Sequence, residues 1–102
     1  MILLNKSDPE SIGQGLVLVR QAASKGNALA EYHLARSYGA GRGVARDDAE
    51  AAAWYEKAAL GGIKQAQQIL AGMYERGEGV AADPAKAARW RAIADAPPAQ
   101  VR

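Results

Sequence analysis

His33 is the single histidine of the chain, and there is no cysteine. Imidazole exchanges a proton near neutral pH and is the commonest metal ligand. A zinc site would have to be built from His33 and carboxylates alone. Glu31, two positions away, cannot share its helical face. The lack of cysteine removes disulfides, thiolate metal sites and cysteine nucleophiles together. A second candidate is the acidic trio Asp47, Asp48 and Glu50. A cation there would want further oxygen ligands from another segment, whereas carboxylates at a helix start are favoured by capping and by the helix dipole. The third is the glycine-rich stretch YGAGRGVARDD, residues 38–48. A phosphate loop carries Lys-Ser or Lys-Thr after its last glycine, or follows a strand. Here Val44, Ala45, Arg46 and Asp47 follow, and no strand precedes. Trp54 and Trp90 have the rings for a sugar or base platform, but they fall at packing positions.

The elements that would position these residues follow from composition. With 102 residues the chain is one domain with a modest core. Its apolar content, 49%, comes mainly from Ala, Leu, Ile and Val; there is no Phe. Alanine is the best helix former, so the expectation is an all-α protein. The 13 basic and 11 acidic residues leave a net charge of +2 and are interspersed, which argues against nucleic acid, where a clustered basic face is needed. The locally basic end (Lys86, Arg89, Arg91, Arg102) reads as a solvated helix face. The opening MILLNKSDPE is too short in apolar residues for a signal peptide, and no later segment approaches a membrane span. A cytoplasmic setting is expected, or a periplasmic one if a leader has been removed.

The glycine stretch is written twice. Residues 74–91, YERGEGVAADPAKAARWR, repeat residues 38–55 at a shift of 36 without a gap. Tyr38, Gly41, Gly43, Val44, Asp47 and Trp54 return as Tyr74, Gly77, Gly79, Val80, Asp83 and Trp90. Ala30, Leu34, Ala58 and Gly26 return as Ala66, Leu70, Ala94 and Gly62. Each unit divides into two helices. The first spans about Asn27–Ala40, with its copy at Ile63–Arg76. The second starts at Asp47, an N-cap whose Glu50 completes a capping-box pattern. Its copy starts at Asp83, followed by Pro84 at the first helical position. The glycines let the chain reverse between the two helices, with Val44 as a small apolar plug. Gly61 and Gly62 end the second helix. Upstream, one helix is expected from about Pro9 to Ser24, with Leu16, Val19 and Ala23 on its apolar face. Met1–Leu4 would fold back over it, and the tail APPAQVR would fray.

The pattern from Gly26 to Gly62 resembles the Sel1-like repeat, an αα-hairpin related to the tetratricopeptide repeat. The second copy departs from it, with Arg91 where the first has Tyr55, Asp95 where it has Ala59, and no closing glycine. A diverged last helix suits an end whose outer face meets water. QAASKGN, residues 21–27, resembles the end of a preceding unit's second helix. The resemblance covers about residues 11–96. It implies a short right-handed α/α superhelix of about five helices. The parts would be an N-terminal helix (1–25), repeat 1 (26–61), repeat 2 (62–96) and a tail (97–102).

The resemblance implies a non-enzymatic adaptor or scaffold that binds a protein or peptide through its concave face. Bacterial members also include regulators and toxin-neutralising proteins. The hydrolases reported in the family are cysteine-rich, so nothing of them carries over. In related repeats the first helix of each pair lines the concave side. The candidate partner-binding residues are therefore those pointing away from Leu34 and Tyr38: Tyr32, His33, Arg36, Gln65, Gln68, Glu75 and Arg76. Tyr, Arg and Gln together suit recognition of a protein surface. No catalytic residue, metal or cofactor is expected, and neither nucleic acid nor membrane. Self-association through the unpaired first helix is an alternative. A small-ligand site or enzyme built on His33 is the weakest reading.

Overall fold

The computed structural model describes residues 9–96, with the backbone alone at 9–14. Met1–Leu4 and residues 97–102 of the tail lie outside the described residues. Five helices follow one another: α1 (Pro9–Ser24), α2 (Ala28–Ala40), α3 (Asp48–Leu60), α4 (Lys64–Arg76) and α5 (Pro84–Asp95). The described residues contain no strand. Each helix packs on the next in order, so the chain is a short α/α solenoid. Its thinnest dimension is 21 Å, the depth of two helices side by side.

The helix ends are made as their residue types require. Asn27, Asp47 and Asp83 cap α2, α3 and α5, each side chain accepting from the backbone N–H three residues on. The capping-box expectation is met only in half. Asp47 accepts from Glu50 N–H at 3.1 Å, but its own N–H donates to the Tyr38 carbonyl at 2.9 Å and is not left for the Glu50 side chain. Asp83 N–H makes the same bond to Tyr74. This bond ties the last turn of each first helix to the start of the second. The reversal it closes requires a left-handed residue, supplied by Gly41 at φ 68° and Gly77 at φ 69°.

Alanine occupies most of the buried positions: Ala23, Ala35, Ala51, Ala58, Ala66 and Ala71 are each 3% exposed or less. Small side chains let helix axes approach closely. Leu34 and Leu70, 36 positions apart, are the largest side chains sealed completely from solvent. Trp54 and Trp90 are half-buried, packed against the core from its edge and not enclosed in it. Trp54 joins the α1–α2 cluster to the main cluster, and the Lys57 ammonium lies 4.4 Å from its ring centre. Val44 and Val80 pack against the two clusters as plugs.

The repeat register extends into α1. Arg20 donates to the Tyr38 hydroxyl at 2.9 Å. At the position 36 later, Glu56 accepts from the Tyr74 hydroxyl at 3.5 Å. The same pair of positions is joined in both places, with opposite charge on the partner.

Glycine is needed at Gly79 for two reasons. Its φ is 71°, and a Cβ there would lie 2.1 Å from the Asp48 carbonyl oxygen, where the second hairpin's loop meets the start of α3. Gly62, at φ 93°, has open space around it. Gly62→Ala should therefore cost about 1 kcal/mol of unfolding free energy, the backbone penalty alone. Gly79→Ala should cost at least about twice that, because backbone must also move. Urea unfolding of the two variants checks the order, and equal losses would show that the loop does not seat against α3.

Candidate functional site: a groove between the first helices

A cleft of about 320 Å³ opens between α2 and α4, with α3 beneath it. Its floor is Ala51 and Tyr55 of α3 with Met73 of α4, all buried. Ile69, half-buried, forms the α4 wall. Arginines stand at the edge: Arg36 on α2, Arg46 before α3 and Arg76 at the end of α4, all exposed. Two carriers of negative charge share the edge. Asp48 accepts from Arg46 at 3.3 Å, and Glu78 pairs with Arg76. The Arg76 guanidinium lies back over Gly72, where an added Cβ would be 3.1 Å away, so this mid-helix glycine makes room for the cation.

An aromatic group sits at one end of the groove. The Tyr32 and Tyr55 ring centres are 6.0 Å apart, edge to face. Arg36 lies 5.8 Å from the Tyr32 ring centre, and the His33 ring centre lies 5.6 Å from it. Burial pushes the Tyr55 phenol above its ordinary range, Tyr32 adds to this, and the Arg36 cation draws it partly back.

The seven sequence candidates are thus divided among several surroundings. Arg36 and Arg76 line the groove, and Tyr32 borders it through Tyr55. His33 lines a neighbouring cleft of about 760 Å³ beside α1, together with Val19, Ser37 and Arg42. That cleft is the same groove one repeat earlier: Val19, His33 and Ser37 stand 36 positions before Tyr55, Ile69 and Met73. Arg36 and Ala40 line both clefts, so they lie at the junction of one continuous track. Glu75 is directed to α5, where it pairs with Arg91. Gln65 and Gln68 are exposed, and neither side chain makes a hydrogen bond among the described residues.

Sequence reasoning missed the floor. Tyr55 is packed in the core and also lines the groove. The available signal was a break in the repeat: Tyr55 becomes Arg91 in the second copy, whereas the neighbouring Trp54 is kept. Glu31 and Gln67, one position in successive repeats, are also buried. Gln67 donates to the Ala59 carbonyl at 3.1 Å, holding α4 against the end of α3.

The opposite side of the solenoid has a cleft of about 330 Å³ between α3 and α5. Three of its polar groups are engaged with one another, with Lys86 5.4 Å from the Tyr74 ring centre and Tyr74 on Glu56. Among the described residues, no three His, Asp or Glu side chains come together as a metal site. No helix among them is long and apolar enough to cross a membrane.

Stacked helical hairpins with a track along their first helices define a repeat solenoid, and comparison with known proteins says of which kind. The Sel1 repeat model matches residues 28–63 and again 64–90; the chain belongs to the Sel1 repeat family. A protective antigen present in uropathogenic Escherichia coli strains, displaying an SLR fold, superposes with a TM-score of 0.78 at 44% identity, over 81% of this chain and 18% of its own. A Sel1 repeat protein from Oxalobacter formigenes gives 0.77 at 36% identity, over 80% of this chain and 63% of its own. The chain thus spans less than a fifth of one relative and under two thirds of the other. No curated protein matches it.

A phenol held neutral by burial titrates late. Because the folded-state value lies above the ordinary value of 10.0, the native state keeps its proton where the unfolded chain loses it. Stability from this group is complete below about pH 10 and falls as pH rises beyond it. Absorbance titration near 295 nm should show a tyrosinate step later than the rest, absent in Tyr55→Phe. A single shared midpoint for all four tyrosines would contradict the burial of Tyr55.

Proposed function

We infer that this chain is a non-enzymatic protein-interaction module that holds a protein or peptide partner in the track along α2 and α4. Sel1 repeats generally mediate protein–protein interaction. The observation that carries the reading for this chain is the groove itself. It has an apolar floor, a cationic edge and a ring pair, in a place where the fold needs none of the exposed side chains. An apolar centre with Tyr and Arg around it is the composition that concentrates binding energy at protein interfaces. Adaptor, regulatory and toxin-neutralising roles all use such a surface. A catalytic reading through His33 has less support. His33 is exposed, its contact is a tyrosine ring, and no carboxylate is hydrogen-bonded to it.

Ala40→Trp would fill the track from an exposed position shared by both clefts. Ala92→Trp puts the same ring on the exposed side of α5. In a pull-down from the source cells, a stoichiometric partner should be retained by the unmodified chain and by Ala92→Trp, and lost from Ala40→Trp. Partners retained equally by all three, or by none, would count against the reading.

Self-association through α1 is a second reading, favoured by Val17 and Leu18, which are 55% and 68% exposed. Leu18 stands at the repeat position where Trp54 and Trp90 pack. Sedimentation at two concentrations a hundredfold apart should show a mass that rises with concentration and that Leu18→Gln lowers to one chain. A constant single-chain mass would remove this reading.

A further inference from the structure

The α2–α4 groove contains two hydrogen-bond donors that nothing in the fold uses. Arg36 forms no ion pair among the described residues; its contact is the face of the Tyr32 ring. The Tyr55 hydroxyl makes no hydrogen bond there either, although Tyr55 is only 7% exposed. Among the described residues no fully buried side-chain oxygen is without a partner, so the hydroxyl keeps some access to solvent, and Tyr55 lines the groove. A guanidinium and a phenol, both donors and both uncommitted, line the same cleft, close enough for the Arg36 charge to act on the Tyr55 phenol. Beside them Ile69 and Met73 offer apolar surface.

We propose that this groove recognises an extended peptide segment in which a Glu or Asp carboxylate is received by Arg36 and the Tyr55 hydroxyl while an adjacent apolar side chain rests on Ile69 and Met73. The inference rests on the interaction reading above and names the chemistry of the partner. A carboxylate accepts from both donors at once, and bonds of that kind are the strong ones at interfaces. Arg46 and Arg76 add to the attraction, because their own pairs with Asp48 and Glu78 are exposed and weak. Those two carboxylates also select among anions. They stand at the edge of the groove and oppose a phosphate dianion or a nucleic-acid strand more than they oppose a single carboxylate. Arg36 sits where the two clefts join. The segment would therefore continue along the track toward His33.

The test uses two acetylated and amidated hexapeptides, Glu-Leu-Ser-Glu-Leu-Ser and the same sequence with Gln for Glu, titrated into the full chain by calorimetry at low salt. Tyrosine-ring and methionine-methyl resonances report where each binds. The Glu peptide should bind about tenfold tighter than the Gln peptide and shift the Tyr55 and Met73 signals. Arg36→Gln, an exposed change, should reduce that ratio to near unity. Tyr55→Phe should weaken the Glu peptide about threefold and the Gln peptide by less, because a hydrogen bond to a charged acceptor is the stronger one. Lys86→Gln, on the opposite cleft, should change neither. Equal affinity for the two peptides at the groove overturns the carboxylate inference and leaves the interaction reading standing. A ratio that survives Arg36→Gln overturns it, as does displacement of the Glu peptide by equimolar inorganic phosphate. Failure of both peptides to shift the groove signals also overturns it, and the Ala40→Trp pull-down then judges the interaction reading on its own.

Discussion

The close approach of neighbouring helices is the constraint from which the rest of this structure follows. A hairpin of two short helices cannot bury a face by itself, so each must lean on the next. In this chain the leaning surfaces are alanine: Ala35, Ala51, Ala58, Ala66 and Ala71 are nearly or completely sealed. Close contact has a consequence for the large side chains. There is little space among alanines for an indole, so Trp54 and Trp90 pack along the edges of the core. Tyr55 reaches the groove from beneath. The chemistry available at the surface is to a large extent the set of side chains that the tight core leaves at its margins.

Repetition then separates what holds the fold from what distinguishes one surface from the next. Positions that are the same in both units do structural work. Gly41 and Gly77 reverse the chain, Asp47 and Asp83 cap and tie, and Leu34 and Leu70 fill the centre. Positions that differ surround the track. Arg36 faces Gly72 in the register, Ala40 faces Arg76, His33 faces Ile69, and Tyr55 faces Arg91. These exchanges are coupled in space. Gly72 is small where Arg36 is long, and the room it leaves is taken by Arg76 one turn later on the same helix. Each cation therefore lies on its own side of the groove without crowding the other.

The helices were legible in the sequence because their signals are local. The caps at Asp47 and Asp83, proline at Pro84 and glycine after Ala40 and Arg76 specify ends without reference to anything distant. The capping box at Glu50 was only half right because its second bond competes with a carbonyl from the preceding helix, a tertiary partner that a four-residue pattern does not contain. The site was legible to a lesser degree for a related reason. Choosing residues from the first helices alone finds the edge of the groove, Arg36 and Arg76, but most of its floor, Ala51 and Tyr55, comes from the second helix. Glu75 shares α4 with Arg76 and turns the other way, to Arg91. A one-residue step on a helix is a rotation of about 100°, and the repeat pattern does not say which of two adjacent exposed residues faces the neighbour.

Charge balance across the whole chain conceals how unevenly charge is committed. The net excess is small, +2, and among the described residues the pairs Arg46–Asp48, Arg76–Glu78 and Arg91–Glu75 are all exposed. Pairs of that kind contribute little to stability, so the fold does not depend on them and they remain available for exchange with a partner. Arg36 is different in that its cation rests on a ring face and has no carboxylate to give up. Binding an anion at Arg36 breaks no existing pair, whereas binding one at Arg46 or Arg76 must first displace Asp48 or Glu78. The cost of entry is lowest at the junction of the two clefts, which makes that point the natural place for an acidic segment to engage first and from which to extend in either direction.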